Sequence, residues 1–176
     1  PTYNRSRLLK DAIESVLAQD YPNFCVSVLD NASSDDTEAV VRSVADPRVL
    51  YVRNETNIGC MSNWNRAIEL NTSPYFCLFS DDAIMLPGFI RESSIILDEN
   101  PNVAFSFTPA KYVDINRVPL SVRHTQDMPP GISEGLDYIE LRVNGRRCRV
   151  EPSAVMTRAM ALAEVGPFDT PHTRDT

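Results

Sequence analysis

Three short polar clusters carry residue types that can do chemistry together: Tyr3-Asn4, Asp30-Asn31 and Ser80-Asp81-Asp82. Gathered in one crevice, they would supply an aromatic ring, amides and three carboxylates. Adjacent carboxylates repel, so holding Asp81 and Asp82 near a further acid is costly unless a cation neutralises them. A hard divalent ion such as Mg²⁺ or Mn²⁺ suits carboxylate oxygens and commonly also holds substrate phosphates. With such an ion, an acidic chain could bind a nucleoside diphosphate. Taken singly, each cluster has a blander reading. Asp81-Asp82 then marks a solvated turn, Asp30-Asn31 a strand end, Tyr3 a packing residue and Gly59 a turn into a helix.

The clusters gain weight from the elements that must position them. Leu8, Leu9, Ala12, Ile13, Val16 and Leu17 recur at helical spacing between Leu8 and Gln19. Phe24 to Leu29 is an apolar run of the buried, parallel-strand type, closed by Asp30-Asn31. Asp35 with Glu38 resembles a capping box opening a helix to about Val44. Val49 to Val52 reads as a second strand, Met61 to Leu70 as a helix and Tyr75 to Phe79 as a third strand ending in Ser80-Asp81-Asp82. Pro87 fits the first turn of a helix through Leu97, and Val103 to Phe107 reads as a fourth strand. Strands alternating with helices predict an α/β, three-layer fold with a mainly parallel sheet flanked by helices. In such sheets ligands collect outside the carboxyl ends of the strands, where all three clusters fall. Beyond Phe107 the pattern weakens. Thr108 to Pro130 reads as a loop-rich excursion with a hairpin, Ser133 to Val143 as a helix, Ala154 to Met156 as a short strand and Arg158 to Glu164 as a short helix.

Composition narrows the function classes. The 176 residues are 43% hydrophobic and 23% charged, which suits one globular domain. Seventeen Lys and Arg against 24 Asp and Glu give a net charge of -7, and Arg146-Arg147-Cys148-Arg149 is the one dense basic cluster. Binding to nucleic acid is disfavoured on that balance. No apolar run reaches the ~20 residues of a membrane span. Cys25, Cys60, Cys77 and Cys148 show no metal-ligand spacing. Cys25 and Cys77 are expected as buried apolar residues, and a reducing, cytoplasmic location, in solution or peripheral at a membrane, is the simpler expectation. Neither G-x-G-x-x-G nor a Walker-type loop occurs, which weakens dinucleotide-dehydrogenase, NTPase and nucleotidyltransferase readings.

Five segments in register resemble the family 2 glycosyltransferases of the GT-A fold. They are Pro1 to Arg5, Val28 to Asp35, Asn57-Ile58-Gly59 with Asn63 to Ala67, Phe79 to Asp82, and Val165 to Asp169 as the G-x-F-D segment. The resemblance implies that Tyr3 stacks on the donor's base, that Asp30 and Asn31 contact base and ribose, and that Thr2, Asn65 and Asp81 also touch the nucleotide sugar. Asp82, with Asp81, matches the D-x-D-type motif that holds Mn²⁺ or Mg²⁺, and Asp175 matches the acid that deprotonates the acceptor. Asn31 stands where the common pair has a second acid, Phe79 where many members have a further Asp, and Arg174 where a Glu usually precedes Asp175.

The implied activity is an inverting transfer from a UDP- or dTDP-sugar to a glycan or lipid-linked acceptor hydroxyl, in polysaccharide or cell-surface glycan synthesis. One GT-A domain is expected over 1–176, truncated at both ends, with 1–107 binding the nucleotide sugar and 108–176 forming part of the acceptor side. The alternative is a non-catalytic module that holds a nucleotide sugar or a partner.

Overall fold

A computed structural model of the chain describes residues 1–120, 130–145 and 150–170. The Arg146-Arg147-Cys148-Arg149 cluster and Asp175 lie outside the described residues.

Helix α1 (Ser6–Leu17) buries Leu9, Ala12, Ile13 and Val16, one stripe at the expected spacing. Past its end, the Gln19 side chain clamps the next layer. Its Nε2 donates to the Leu86 carbonyl at 2.9 Å, and its Oε1 accepts from the Ile90 amide at 3.2 Å. Strand β1 (Val26–Asp30) follows, then helix α2 (Thr37–Val44), strand β2 (Val49–Arg53) and helix α3 (Cys60–Glu69). The left-handed Ala45 (φ 51°) ends α2, and Gly59 (φ 84°) turns the chain into α3, a conformation that glycine adopts without strain. β1 and β2 pair in parallel, from Val26 opposite Val49 to Asp30 opposite Arg53.

The second sheet has the order β3 (Tyr75–Phe76), β5 (Val155–Arg158), β4 (Phe105–Phe107). β5 runs antiparallel to both neighbours, so β3 and β4 point the same way and β5 alone is reversed within that sheet. Helix α4 (Phe89–Glu99) packs on this sheet, and Arg158 reaches the Leu97 carbonyl at its end (2.7 Å) while stacking over the Tyr75 ring. Helix α5 (Gly135–Val143), a 3₁₀ turn at Pro152–Ala154 and helix α6 (Ala159–Val165) complete the described elements.

Two apolar clusters hold the layers. Leu9, Ile13, Val28 and Val41 join α1, β1 and α2, whereas Val16, Met85, Ile90, Leu97 and Met156 join α1 to α4 and β5. No ladder links β1 to β3 among the described residues. Between them lies a cavity of about 550 Å³, lined among others by Val26, Leu29, Phe76, Leu78, Phe79 and Met85.

Several local expectations shift. Only Tyr75–Phe76 of the Tyr75–Phe79 run forms a ladder, opposite Arg158 and Thr157 of β5. Pro87 precedes rather than opens its helix, since Gly88 at φ 86° delays the first turn to Phe89. The capping box is not formed. Asp35 accepts from the Thr37 amide at 3.1 Å and the Ser6 amide at 2.9 Å, while Glu38 turns along the helix to Arg42. Cys25 is exposed rather than buried, one residue before β1 begins; Cys77 is half-buried, and burial pushes its thiol up to about 12. The expected hairpin survives as a Val113–Pro119 bridge around Arg117 (φ 62°).

Candidate active site

The first cluster is carried to the second by a short parallel ladder. The Thr2 amide donates to the Leu29 carbonyl at 2.9 Å, and the Asn31 amide donates to the Thr2 carbonyl at 3.0 Å. Thr2 is buried by this pairing, and its hydroxyl is a buried oxygen without a partner among the described residues. Asn4 takes a left-handed turn (φ 52°), stabilised from both sides by the loop after β1. Its amide donates to Ser33 Oγ at 2.9 Å, and its Oδ1 accepts from the Ser34 amide at 2.8 Å. Tyr3, between these anchors, keeps 46% of its surface exposed. An anchored backbone with a free aromatic face suits stacking on a planar ligand.

Asp30 is fully buried, and three groups satisfy its carboxylate. Oδ1 accepts from the Ser33 amide at 2.8 Å; Oδ2 accepts from the Tyr51 hydroxyl at 2.6 Å and from Arg53 Nη1 at 2.7 Å. Burial alone would raise its pKa. The hydrogen bonds from Ser33 and Tyr51 and the Arg53 charge outweigh burial and hold it below the ordinary carboxylate range. Asn31 enters an amide network instead. Its Oδ1 accepts from Asn54 Nδ2 (2.8 Å) and the Ile58 amide (3.0 Å), and its Nδ2 donates to Asn57 Oδ1 (2.7 Å). Asn54 also donates to Asn63 Oδ1 and accepts from Arg66, which fixes α3 against the end of β1. The Asn57-Ile58-Gly59 turn is thereby tied directly to Asn31.

The third cluster reaches the first through Arg5. Its Nη1 lies 3.2 Å from Asp81 Oδ1 and 3.0 Å from Asp82 Oδ2, so one nitrogen bridges both acids. Asp81 is 8% exposed and Asp82 50%. Among the described residues no group of three or more His, Cys, Asp or Glu could hold a metal. The two carboxylates still fit a hard divalent ion that takes its other ligands from water and phosphate oxygens. The guanidinium already held between them marks the spot as one where positive charge is favoured.

Asn65 stands apart from these three clusters. Its Nδ2 donates to the Phe168 carbonyl at 2.9 Å and its Oδ1 accepts from the Phe168 amide at 2.8 Å. Beside it, Trp64 meets the Phe168 ring edge-on at 5.7 Å between centroids. The amide expected on the donor is here bonded to the G-x-F-D segment. Arg5, Tyr51, Arg53 and Asn54 were not singled out from sequence. For Arg53 a signal existed: it ends β2 as Asp30 ends β1.

The geometry brings the three polar clusters together at the carboxyl end of β1. Structural comparison places the fold with the GT-A glycosyltransferases. Staphylococcus aureus TarS (residues 1–349, complex with UDP-GlcNAc) superposes with a TM-score of 0.74 at 21% identity, over 94% of this chain and 45% of that one. A mannosyltransferase, PcManGT of Pyrobaculum calidifontis in complex with GDP-Man and Mn²⁺, gives 0.69 at 21% identity, over 97% and 46%. The model of glycosyl transferase family 2 matches residues 1–163, and the chain belongs to that family. Relatives include the uncharacterised protein MT1568 of Mycobacterium tuberculosis, 29% identical over 97% of this chain and 55% of its own length. An uncharacterised glycosyltransferase of Methanocaldococcus jannaschii, MJ1057, is 27% identical over 65% of this chain and 41% of its own. The chain therefore spans about half the length of the relatives it matches. No helix among the described residues is long and apolar enough to cross a membrane.

Proposed function

We propose that this chain forms the donor side of a metal-assisted, inverting glycosyltransferase that moves a sugar from a nucleoside diphosphate to an acceptor hydroxyl. The observation that carries the reading is the continuous path from Asp30 through Thr2 to Arg5 and on to Asp81 and Asp82. Tyr3 lies on that path between Thr2 and Arg5 and is exposed. Tyr3 would stack on the base, Thr2 and Asn31 would line its edge, and Asp30 would hold that loop in shape. Asp82 and Asp81 would hold Mn²⁺ or Mg²⁺, which neutralises charge on the departing diphosphate. The complexes of TarS with UDP-GlcNAc and of PcManGT with GDP-Man and Mn²⁺ support a donor of this class.

In the transfer, the acceptor oxygen bonds to the anomeric carbon as the bond to the diphosphate oxygen breaks. Asp175 would take the hydroxyl proton as general base. The acceptor is a glycan or lipid-linked hydroxyl in polysaccharide or cell-surface glycan synthesis. Calorimetry with UDP-, GDP- and dTDP-sugars in the presence of Mn²⁺ tests the donor class, and product analysis separates transfer from binding alone. Asp82→Ala should abolish the metal-dependent part of donor binding. Unchanged affinity would remove Asp82 from the metal site. Asp175→Asn should bind donor normally and lose transfer, and retained turnover would place the base elsewhere.

A further inference from the structure

The position of Arg5 follows from the local backbone. Asn4 is pinned on both sides by Ser33 and Ser34, and the Arg5 carbonyl accepts the first amides of α1, from Leu8 at 3.0 Å and Leu9 at 3.1 Å. The Cα of Arg5 is thus fixed while its side chain, 53% exposed, remains able to swing. That side chain places a single nitrogen between two carboxylates that would otherwise repel each other. Its Nε and Nη2 make no hydrogen bond among the described residues, so the acid pair is its whole polar contact there.

We propose that Arg5 is an exchangeable counter-cation for Asp81 and Asp82, competing with the divalent metal for the space between them. The proposal rests on the metal role of the acid pair given above. A guanidinium and a divalent ion cannot both bridge the same two oxygens. Metal entry therefore swings Arg5 outward, and loss of metal lets it return. The arm relieves the repulsion of the empty pair and sets how tightly metal is held, so metal is retained best when a phosphorylated ligand adds further oxygens. A Lys at this position would carry the charge without the planar fork, and would compete less well for two carboxylates at once.

Titration with MnCl₂ alone, followed by electron paramagnetic resonance of the free ion, reads this directly. The unmodified chain, Arg5→Gln and Arg5→Lys are compared first without any donor. Arg5→Gln should bind Mn²⁺ about five- to tenfold more tightly than the unmodified chain, with Arg5→Lys between them. In EDTA, Arg5→Gln should melt at lower temperature than the unmodified chain, and Mn²⁺ should restore it. If Mn²⁺ binds the unmodified chain and Arg5→Gln equally, or binds Arg5→Gln more weakly, the competition is refuted and the metal role stands. If neither protein binds Mn²⁺, alone or with UDP or GDP added, both ideas fail together.

Discussion

Arg53 reaches Asp30 Oδ2 at 2.7 Å from the directly opposed position of the neighbouring strand. The same guanidinium donates to the Ser33 carbonyl at 2.7 Å, so it closes the loop after β1 onto the strand that leads into it. With the Tyr51 hydroxyl and the Ser33 amide, it leaves the Asp30 carboxylate fully bonded inside the protein. Asp30→Ala should therefore cost about 2–4 kcal/mol of stability, chiefly as unsatisfied donors. Urea denaturation of Asp30→Ala and Arg53→Ala checks this. A change below about 0.5 kcal/mol in both would show that the latch is not structural.

Acid should loosen the same loop. Asp35 is held down to about 2 from 3.8: burial raises its pKa, but the hydrogen bonds from Thr37 and Ser6 prevail, and Asp30 is lowered as well. A carboxylate whose pKa is depressed in the folded state contributes stability above its unfolded value and loses it as pH falls through the folded one. Stability should therefore hold above about pH 4 and decline between about pH 4 and pH 2. Asp35→Asn should flatten that decline in a pH series of denaturation midpoints.

Tyr3 offers a test of the donor reading that barely touches the fold. Its ring is half exposed, and its neighbours are held by backbone bonds rather than by the ring. Tyr3→Ala should leave the melting temperature nearly unchanged. It should weaken nucleoside diphosphate binding by about tenfold or more, since a base stacked on an aromatic ring contributes about 1–3 kcal/mol. Tyr3→Phe should bind normally. Unaltered binding by Tyr3→Ala would place the base elsewhere.

Trp64 is the sole tryptophan, and it touches Phe168. Its emission reports whether the Gly166–Asp169 segment is seated. Phe168→Ala and Asn65→Ala should shift that emission to the red and increase quenching by acrylamide. An unshifted spectrum in both would show that the segment is held by other contacts.

Thiol chemistry should separate the cysteines. Cys25 is exposed, whereas burial raises Cys77 to about 12. Only the thiolate attacks an alkylating reagent, so at pH 8 iodoacetamide should label Cys25 in the native protein and Cys77 only after denaturation. Mass mapping reads the result, and early labelling of Cys77 would mean that this part of the chain opens readily.

Periodicity placed α1, β1, α2, β2 and α3 within a few residues, because each is amphipathic or apolar over its length and bounded by Gly, Pro or Asp. The reversed direction of β5 was not legible. Val155–Arg158 is four residues long, and neither its partners nor their direction can be read from a run that short. The strand-end clusters were found because acids, amides and a tyrosine are conspicuous there. Their partners were hidden for a different reason. Arg53 and Arg5 resemble ordinary surface cations until register and an anchored turn bring them onto Asp30 and the acid pair. Asn65 shows the opposite limit: its amide type suggests a ligand, and the Phe168 backbone it bonds lies 103 positions along the chain.

Helix α1 belongs to both apolar clusters: Val16 packs in one, Leu9 and Ile13 in the other. A cavity cut into this single helix is therefore felt on both sheets at once.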